Sequence, residues 1–485
     1  MIDFKSKIGA VNDALQKAKS GGLTLKAGNM GGLTQGDAPP LDYDPLVGHL
    51  SDEQRDVIRA IESGGNVFLT GKAGTGKSTL TAALVARHCR AKGLYVCGST
   101  GISAYNLADR LARDLPDGVE APKCTTLHRW AGIGLGPQEG MEFEEFYDEW
   151  FHHNRMTRAK MGALQRARYA RCLILDEVSM VPGRLLDYLD WHLRHVRGVA
   201  DAPFGGVQLV CVGDFLQLPP VAKDQRYDWA FASGAWQSAG MRGCVLRTIH
   251  RQADPEFANL LNACREGVID ARAAAILERR IARFPARDII RMMTHNAQVD
   301  KWNEFQLSQI ADNEHIYWMG FNQYTRDYDE QALTNNILAP RCLKLKRGAR
   351  VMVVANITDA CGDLLACNGT MARVTGLDED AVDIKTDDGV ELVVRKQLWT
   401  LNPLQDDSPG AFQIPLRLAY AMTIHKSQGL SLDSAIVDAR AAREPGQTYV
   451  ALSRLRTLEG LWLKDAIKGV VTSQKALEFM RGIER

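Results

Sequence analysis

The sequence predicts an α/β fold, with helices covering a parallel sheet and a small antiparallel barrel interrupting a second α/β unit. Apolar runs such as NVFLT, LYVCGST, CLILDE and VQLVCVGDF alternate with helix-like segments from Leu50 onward, and continuous apolar strands are typical of a sheet buried on both faces. The pattern changes at residues 345–400, where ARVMVV, GTMARVTGL, AVDIK and VELVVR are divided by Gly, Asn and Asp. Short β-branched runs of this kind indicate an antiparallel barrel. Because LRLAYAMTIHKSQG and SAIVD then return to the α/β pattern, the barrel is predicted to be an insert.

Composition limits the class of protein. The 485 residues, 45% hydrophobic and 24% charged, suit a globular chain of about three domains. No apolar run approaches the roughly 20 residues that span a bilayer, and residues 1–10 lack the apolar centre of a signal peptide. We therefore expect an intracellular protein with no membrane partner. The net charge of +1 neither supports nor excludes DNA as a partner.

The cysteines are predicted to be reduced core residues. They are scattered without a CxxC pair, and Cys97, Cys172 and Cys211 fall inside apolar strand-like runs. The closest pair, Cys361 and Cys367, has no nearby His or Cys partner. We therefore expect neither a zinc site nor a disulfide framework.

A phosphate-binding loop follows the first predicted strand. Residues 66–79 read NVFLTGKAGTGKST, with glycines, a lysine and a serine at the spacing that surrounds nucleoside triphosphate phosphates. The glycines let backbone N–H groups close around the phosphates, and the following helix directs its positive end at them. Lys77 is predicted to reach the terminal phosphates, and the Ser78 hydroxyl to bind Mg²⁺. The predicted nucleotide-binding residues of the loop are Gly74, Thr75, Gly76, Lys77, Ser78 and Thr79.

A second motif strengthens the prediction of ATP hydrolysis. CLILDE at residues 172–177 is a buried-looking strand that ends in Asp176 and Glu177. Asp176 is predicted to hold the hydrated Mg²⁺, and Glu177 to polarise the attacking water. A chance Gly-rich turn or an ordinary surface pair of acids is the alternative for each motif taken alone. The two motifs together favour a nucleotide site.

Further motifs are predicted to lie at the γ-phosphate. GDFLQLPP at residues 213–220 follows a strand, which would place Asp214 and Gln217 beside this phosphate, where a glutamine can sense hydrolysis. Arg454 in VALSR and Arg251 in IHR are candidate positive fingers from a second domain. An arginine of this kind is worth roughly 10³ to 10⁵ in rate. Hydrolysis would then depend on the closure of two domains.

Other functions of a phosphate loop have to be weighed. Gln54, in LSDEQRDVI, is placed where it can pair with an adenine edge, although a glutamine on a helix is usually just solvated. The loop alone also fits a kinase, a GTPase or a protease-linked ATPase. A phosphotransferase would need an acceptor site and would leave HKSQG, VALSR and GDFLQLPP without a role. A catalytically silent nucleic-acid-binding module would not explain why every hydrolytic position is filled.

Longer motifs carry a resemblance to a known family. Between about residues 48 and 465, the chain resembles the petite-integration-frequency family of 5′-to-3′ DNA helicases in TLHRWAGIGLG, MVPGRLLDYLDWHLRHVRG, PFGGVQLVCVGDFLQLPPV, LAYAMTIHKSQGLSLD and YVALSRLRTLEGL. This family is similar to the RecD-type enzymes of superfamily one, and the stretch from Leu185 to Gly206 favours the former. The resemblance implies two RecA-like P-loop domains with ATP between them, a small wedge insert in the first and an SH3-like β-barrel insert in the second.

The resemblance also implies residues that contact single-stranded DNA. By their positions in matching motifs these are Thr100 in STGIS, His128 in TLHRW, Thr294 and Asn296 in MTHN, and His425, Lys426 and Ser427 in HKSQG. Most would bind phosphate or stack on a base, which gives little sequence preference. For His128 the alternative is a core histidine.

Domain boundaries follow from these assignments. Residues 1–45, which carry GGLT twice, are predicted to be a flexible leader that recruits a protein partner or has no role. The rest divides into a first RecA-like domain at 46–245 with its wedge insert at about 104–170, and a second at 246–320 and 411–485 around a barrel-containing insert at 321–410. A monomer is the default, because the sequence has no evident coiled coil or long exposed apolar stripe.

The motifs and the resemblance together predict an ATP-dependent motor. ATP binding would close the two RecA-like domains, and alternating grips would move the enzyme along one strand, 5′ to 3′ as the resemblance implies. Expected partners are single-stranded DNA and junctions of single- and double-stranded DNA. Duplex unwinding would follow if the wedge splits the strands. The alternative is a translocase, stimulated by single-stranded DNA, that displaces proteins or remodels DNA without extensive unwinding.

Overall fold

The computed structural model describes residues 50–484 apart from 89–92, 102, 105–106, 109–110, 112–114, 116–121, 135, 138, 154–155, 223–224, 250–253, 282–288, 359–363, 367, 401–407 and 468. The predicted leader at residues 1–45, the finger candidate Arg251 and the pair Cys361 and Cys367 lie outside the described residues. Among the described helices, none combines the length and the apolar character that crossing a bilayer requires.

The first sheet is parallel and carries the strand of the phosphate loop. Its strands are β1 (Val67–Gly71), β2 (Leu94–Gly98), β3 (Thr125–Thr126), β4 (Cys172–Asp176), β5 (Gln208–Val212) and β6 (Arg242–Leu246). Their spatial order is β3-β2-β4-β5-β1-β6. Strands β1 and β5 are buried along their whole length, as expected where helices cover both faces. The prediction of a parallel α/β sheet is confirmed.

Alternation along these strands divides the core of the first sheet in two. Val67 and Leu69 face one core, and Phe68 faces the other. The first of these cores is covered by α1 (Asp52–Glu62) and α2 (Lys77–His88). The second is covered by α3 (Leu127–Ala131), α4 (Phe143–Tyr147), α5 (Arg158–Tyr169), α6 (Gly183–Arg197) and α7 (Gly234–Ser238). Short 3₁₀ turns lie at Val178–Met180, Pro203–Gly206 and Ala230–Ala232, and a π turn lies at Asp148–His153.

The chain then begins a second α/β part and leaves it again for an antiparallel region. The second part begins with α8 (Pro255–Glu266), α9 (Ala271–Arg279), β7 (Arg291–Met293) and α10 (Asn296–Ser308). The antiparallel region contains β8 (His315–Trp318), β9 (Gly320–Phe321), α11 (Asp327–Asn336), β10 (Cys342–Leu345), β11 (Arg350–Val353), β12 (Ile357–Thr358), β13 (Leu364–Ala366), β14 (Met371–Leu377), β15 (Ala381–Thr386), β16 (Glu391–Arg395), β17 (Gln397–Thr400), β18 (Gly410–Gln413) and β19 (Leu416–Leu418).

The largest antiparallel sheet has the order β16-β15-β14-β11-β19. Strands β11, β14, β15 and β16 coincide with the β-branched runs of the sequence, so the prediction of an antiparallel insert is confirmed. Smaller sheets pair β10 with β8, β12 with β13, and β18 with both β17 and β9.

The second sheet resumes after this insert. It adds β20 (Ala421–Thr423), β21 (Ala435–Val437) and β22 (Leu461–Leu463) to β7, in the parallel order β20-β7-β21-β22. A 3₁₀ turn at His425–Ser427 follows β20, and α12 (Gln447–Ser453) precedes β22. We call the elements packed on the first sheet the first lobe, and those packed on the second sheet the second lobe.

Helix α13 (Gln474–Glu484) follows the second sheet in the chain but packs on the first. The ring of Phe479 stacks on Phe231 with 4.3 Å between centroids, and its centroid lies 5.5 Å from that of Phe215. Leu477 and Met480 are buried in the core that also holds Phe68. The chain therefore connects the two lobes twice, between β6 and α8 and again between β22 and α13.

A fully buried histidine lies in the aromatic core of the first lobe. The ring centroid of His192, in α6, lies 5.7–5.8 Å from those of Tyr147, Phe151 and Tyr188. Neither ring nitrogen has a hydrogen-bond partner among the described residues. Burial lowers the pKa of His192 to about 3, with a further contribution from His195. The folded protein therefore keeps this ring neutral.

We expect acid to destabilise the protein through His192. Its pKa is about 3 in the folded state and has the ordinary value of 6.5 in the unfolded chain, so the unfolded chain binds an extra proton between these values. The free energy of unfolding therefore falls as the pH drops from about 6.5 towards 3, by about 1.4 kcal/mol for each unit at most. Above that range this residue contributes no pH dependence.

Urea unfolding at a series of pH values measures this slope. His192→Phe should flatten it, whereas His315→Phe, at an exposed position, should leave it as in the wild type. A His192→Phe variant with the full wild-type slope would show that another group causes the acid sensitivity.

Candidate active site

The predicted catalytic motifs meet at the carboxyl edge of the first sheet. Strands β4, β5 and β1 are neighbours and run parallel, so the loops that follow them leave the sheet at the same edge. The phosphate loop follows β1, Glu177 follows β4, and Gln217 lies in the loop after β5.

The phosphate loop folds around the amino group of Lys77. Gly74 and Gly76 have φ angles of 82° and 84°, a left-handed conformation that glycine adopts without a steric penalty. Lys77 begins α2, and its Nζ donates to the carbonyl oxygens of Gly71 at 2.7 Å and Lys72 at 3.1 Å. The loop thus already holds the ammonium group at its centre.

Carboxylates from the other two loops act electrostatically on the Lys77 ammonium group. Burial lowers its pKa, and Asp214, Glu177 and Asp176 oppose this effect. An ammonium group that faces several carboxylates is balanced within the site and is suited to bind phosphate oxygens.

The remaining residues of the phosphate loop are buried or half-buried. The Thr75 hydroxyl donates to the Lys72 carbonyl oxygen at 2.9 Å, and Ser78 and Thr79 lie in the first turn of α2. The Ser78 hydroxyl and the Asp176 carboxylate supply oxygen ligands of the type that Mg²⁺ prefers.

Glu177 has a strained backbone. Its φ of 54° and ψ of 46° lie in the left-handed region, where a residue other than glycine is uncommon and costs of order 1 kcal/mol or more. Its N–H donates to Asp176 Oδ1 at 3.0 Å, and its Oε2 accepts from Gln428 Nε2 at 3.1 Å. Strain of this kind is concentrated at functional sites. The Gln428 contact shows that the Glu177 carboxylate faces the second lobe.

The loop after β5 carries one engaged carboxylate and one unpaired amide oxygen. The two oxygens of the fully buried Asp214 accept from Arg265 Nε and Nη2 at 2.9 and 3.0 Å. The position of this carboxylate beside the γ-phosphate stays a prediction, and the ion pair engages both of its oxygens. Gln217 is 4% exposed, and its Oε1 has no hydrogen-bond partner among the described residues. Because an unpaired buried amide is costly, this oxygen is suited to accept a bond from a bound group.

Helix α12 brings the second lobe to the same site. Arg454 is almost fully buried at its end, where Nε donates to the Val450 carbonyl oxygen at 3.0 Å and Nη2 to Ser453 Oγ at 2.9 Å. Burial lowers the pKa of Arg454, and Glu177 opposes this effect. In the same helix, the Tyr449 hydroxyl accepts from the backbone N–H of Ala73 in the phosphate loop at 2.9 Å.

Gln54 has a structural contact in the first turn of α1. Its N–H donates to Ser51 Oγ at 3.3 Å and its Oε1 accepts from the Ser51 N–H at 3.0 Å, which forms a capping box. The side chain is buried, so the alternative of a solvated glutamine is wrong. Its contact with an adenine edge stays a prediction.

Two of the predicted DNA contacts lie in the first lobe. Thr100 follows β2, and its hydroxyl accepts from the Ser103 N–H at 3.1 Å. His128 is half-buried in α3, where burial lowers its pKa. The neighbouring Arg129 donates to the carbonyl oxygen of Thr400 in β17 at 3.2 Å, so α3 touches the antiparallel insert.

The other predicted DNA contacts lie at one edge of the second sheet. Strands β7 and β20 are parallel neighbours, so the segments that follow them leave the sheet together. After β7, Thr294 is buried with its hydroxyl 2.7 Å from His295 Nδ1, and Asn296 is exposed at the start of α10.

The segment after β20 divides into two accessible residues and one enclosed residue. His425 Nε2 lies 2.8 Å from Glu444 Oε2, and this bond lowers the pKa of Glu444. Lys426 is half-buried. Ser427 is fully buried and donates to the Ile424 carbonyl oxygen at 2.7 Å. The prediction that Ser427 touches DNA does not fit this conformation, because its hydroxyl supports the turn from inside.

Comparison with known proteins identifies the family. A family model described as PIF1-like helicase matches residues 49–274, and one described as DNA helicase Pif1, 2B domain, matches residues 330–377. The ATP-dependent DNA helicase Pif1 of Bdellovibrio bacteriovorus is 31% identical over 438 residues, which cover 90% of this chain and 92% of that protein. The chain belongs to the PIF1-like helicase family. The resemblance stated from the sequence motifs is therefore confirmed.

Other PIF1-like proteins extend the comparison. The ATP-dependent DNA helicase PIF1 of Danio rerio is 32% identical over 454 residues, and the chain spans 65% of the length of that protein. The crystal structure of Pif1 helicase from Candida albicans superposes with a TM-score of 0.71 at 31% identity and covers 90% of this chain and 99% of that one. A Bacteroides Pif1 helicase in complex with ADP-AlF3 and ssDNA has a TM-score of 0.64 at 31% identity, with 90% of this chain and 97% of that chain covered.

Three residues at the site of this PIF1-like chain were missed by sequence analysis. Gln428 follows directly after the predicted DNA-contact segment, and Tyr449 precedes Arg454 in the same helix, so both lay within motifs already singled out. Arg265 lies in LLNACREG, which carried no motif. Its link to the site is its ion pair with the buried Asp214.

Proposed function

We propose that this chain is an ATP-dependent DNA helicase that translocates 5′ to 3′ on single-stranded DNA and unwinds duplex or other DNA structures. The observation that carries the proposal is the meeting of Lys77, Glu177 and Gln217 at one sheet edge, with Arg454 of the second lobe close enough to Glu177 to interact electrostatically. Family membership supports it, since relatives are named ATP-dependent DNA helicases and one was solved with a nucleotide analogue and single-stranded DNA.

Each residue of the site has a proposed part in ATP hydrolysis. Lys77 binds the terminal phosphates, Glu177 polarises the attacking water, and the unpaired Oε1 of Gln217 senses the γ-phosphate through that water. Arg454, and Arg251 outside the described residues, stabilise the charge that develops on the transferred phosphoryl group. Ser78 and Asp176 are the proposed ligands of Mg²⁺, which when bound neutralises phosphate charge.

Contacts between the lobes support a link between hydrolysis and movement. Gln428, which donates to Glu177, directly follows the 425–427 segment proposed to hold DNA. A shift of that segment along a strand would therefore be transmitted to the catalytic carboxylate. The proposed DNA contacts are Thr100, His128, Thr294, Asn296, His425 and Lys426.

Several wider features are also proposals. We infer an intracellular monomer that binds single-stranded DNA and junctions, with a possible protein partner for residues 1–45. The domain boundaries at 46–245, 246–320, 321–410 and 411–485 stay predictions. Helix α13 falls within the last of these ranges, but it packs on the first sheet.

Unwinding of two partial duplexes tests the proposal. One duplex carries a 5′ single-stranded tail and the other a 3′ tail, and strand separation is followed by fluorescence with ATP and Mg²⁺. Only the 5′-tailed duplex is expected to open, because a motor that loads on single strands and moves 5′ to 3′ reaches the junction from that side alone. Lys77→Ala serves as the control without ATP turnover.

The same assay separates the runner-up function. If neither duplex opens while single strands still stimulate ATP hydrolysis, a translocase that displaces proteins or remodels DNA becomes the better description. Opening of the 3′-tailed duplex alone would reject the polarity.

A further inference from the structure

We propose that Arg265, in the second lobe, is a positioning residue for ATP hydrolysis. It would hold in place the loop of the first lobe that carries Gln217. The inference rests on the proposed function, because it takes Gln217 as the residue that senses the γ-phosphate. Arg265 lies near the end of α8, whose residues Phe257, Leu260 and Leu261 are buried in the core of the second sheet.

The ion pair between Arg265 and Asp214 is built with two parallel bonds. Asp214 is 0% exposed and Arg265 is 1% exposed, and both carboxylate oxygens are engaged at 2.9 and 3.0 Å. The planar guanidinium fork matches a carboxylate in a way that a lysine cannot. A pair so enclosed fixes the relative position of the two groups that it joins, here one from each lobe.

Asp214 in turn fixes the backbone that carries Gln217. Its Oδ1 accepts from the Leu216 N–H at 3.1 Å, and its carbonyl oxygen accepts from the Gln217 N–H at 2.9 Å. A displacement of Asp214 would therefore move the amide group of Gln217 with it.

The second lobe also contacts the other side of Gln217. Gly446, directly before α12, has a φ of 73°, and a side-chain carbon at this position would lie 2.4 Å from the Gln217 carbonyl oxygen. Only glycine permits this approach. The helix that follows carries Arg454 at its end. Docking of the second lobe therefore fixes the positions of Gln217 and Arg454 relative to each other.

Arg265 has a third bond that ties it back to the first lobe. Its Nη2 also donates to Glu484 Oε1 at 2.9 Å, and Glu484 lies at the end of α13, which packs on the first sheet. The guanidinium is therefore held by two separate elements of the first lobe. This arrangement favours a fixed orientation of Arg265 over a mobile surface contact.

Two sets of variants test the inference by steady-state ATP hydrolysis with saturating single-stranded DNA. Arg265→Lys keeps the charge but not the fork. We expect kcat to fall about 10- to 100-fold, as for a misplaced catalytic group, with little change in the KM for ATP, because the displaced Gln217 would lose an interaction made in the transition state.

The second set separates positioning from stability. Arg265→Met leaves Asp214 buried without its partner, and the melting temperature should drop. Combining it with Asp214→Asn removes both charges, so the melting temperature should recover while kcat stays low. Arg279→Met, which breaks an exposed pair with Glu256 in the neighbouring helix, is the matched control and should leave kcat and melting temperature unchanged.

The outcomes are distinct. Wild-type kcat in Arg265→Lys, or recovery of kcat together with the melting temperature in the double variant, would overturn the positioning role. A wild-type protein that hydrolyses no ATP would reject the proposed function, and this inference with it.

Discussion

Lys77→Ala is expected to abolish ATP hydrolysis and to leave single-stranded DNA binding measurable. The Lys77 ammonium is the cation at the centre of the phosphate loop, where the carbonyl oxygens of Gly71 and Lys72 already orient it. Loss of one preorganised donor to a developing charge alone lowers kcat by about 10²- to 10³-fold, and Lys77→Ala also removes the proposed cation for the terminal phosphates, so turnover should fall to background. Release of inorganic phosphate with saturating single strands measures turnover, and fluorescence anisotropy of a labelled oligonucleotide measures DNA binding.

The matched control is Lys475→Ala. Lys475 is exposed on α13, so its removal should change neither turnover nor DNA binding. Near-normal turnover in Lys77→Ala would contradict the assignment of the nucleotide site. Loss of DNA binding along with turnover would point to misfolding, which circular dichroism of the variant detects.

Arg454→Ala is expected to lower kcat by about 10³- to 10⁵-fold, which is the range for removal of an arginine finger. Arg454 is buried, and Glu177 raises its pKa against the effect of burial, so its charge lies close to the carboxylate that we propose polarises the attacking water. Arg454→Lys should restore little, because a lysine ammonium cannot reproduce the planar fork. Single-turnover hydrolysis separates this chemical step from nucleotide binding.

Arg456→Ala is the matched control for the finger. Arg456 lies two residues after Arg454 in the chain. It is exposed and pairs with the exposed Asp433, so its removal should leave kcat unchanged. Binding of a fluorescent ADP analogue should persist in both variants. Wild-type kcat in Arg454→Ala would show that another residue, such as Arg251, supplies the finger.

Local signals account for most of what the sequence predicted. The phosphate loop, the Asp176 and Glu177 pair and the Gln217 loop each directly follow an apolar run, and parallel strands place such loops at one edge. The antiparallel insert was also predictable from local signals, because alternating apolar patterns and turn residues each occupy only a few consecutive positions. The fold class and the family were therefore accessible without coordinates.

Long-range contacts account for what the sequence did not reveal. Asp214 lies in a loop of the first lobe and its partner Arg265 lies in α8 of the second lobe, and no spacing rule links GDFLQLPP to LLNACREG. The aromatic contact of Phe479 with Phe231 joins the last described helix to a segment near the middle of the chain, while the apolar face of α13 by itself does not indicate which core it packs on. Ser427 was misplaced because a motif shared with DNA-binding residues does not report which of its side chains points inward.

The return of α13 to the first sheet makes the second lobe a body attached at two points of the chain. A body held by one linker can swing in any direction, whereas two linkers leave mainly rotation about the line that joins them. When the lobes part, the two linkers also keep the residues of each broken contact at a high effective concentration relative to one another. Reclosure is then a unimolecular event whose rate does not depend on protein concentration. For the proposed motor, this connectivity would make each opening and closing follow the same path.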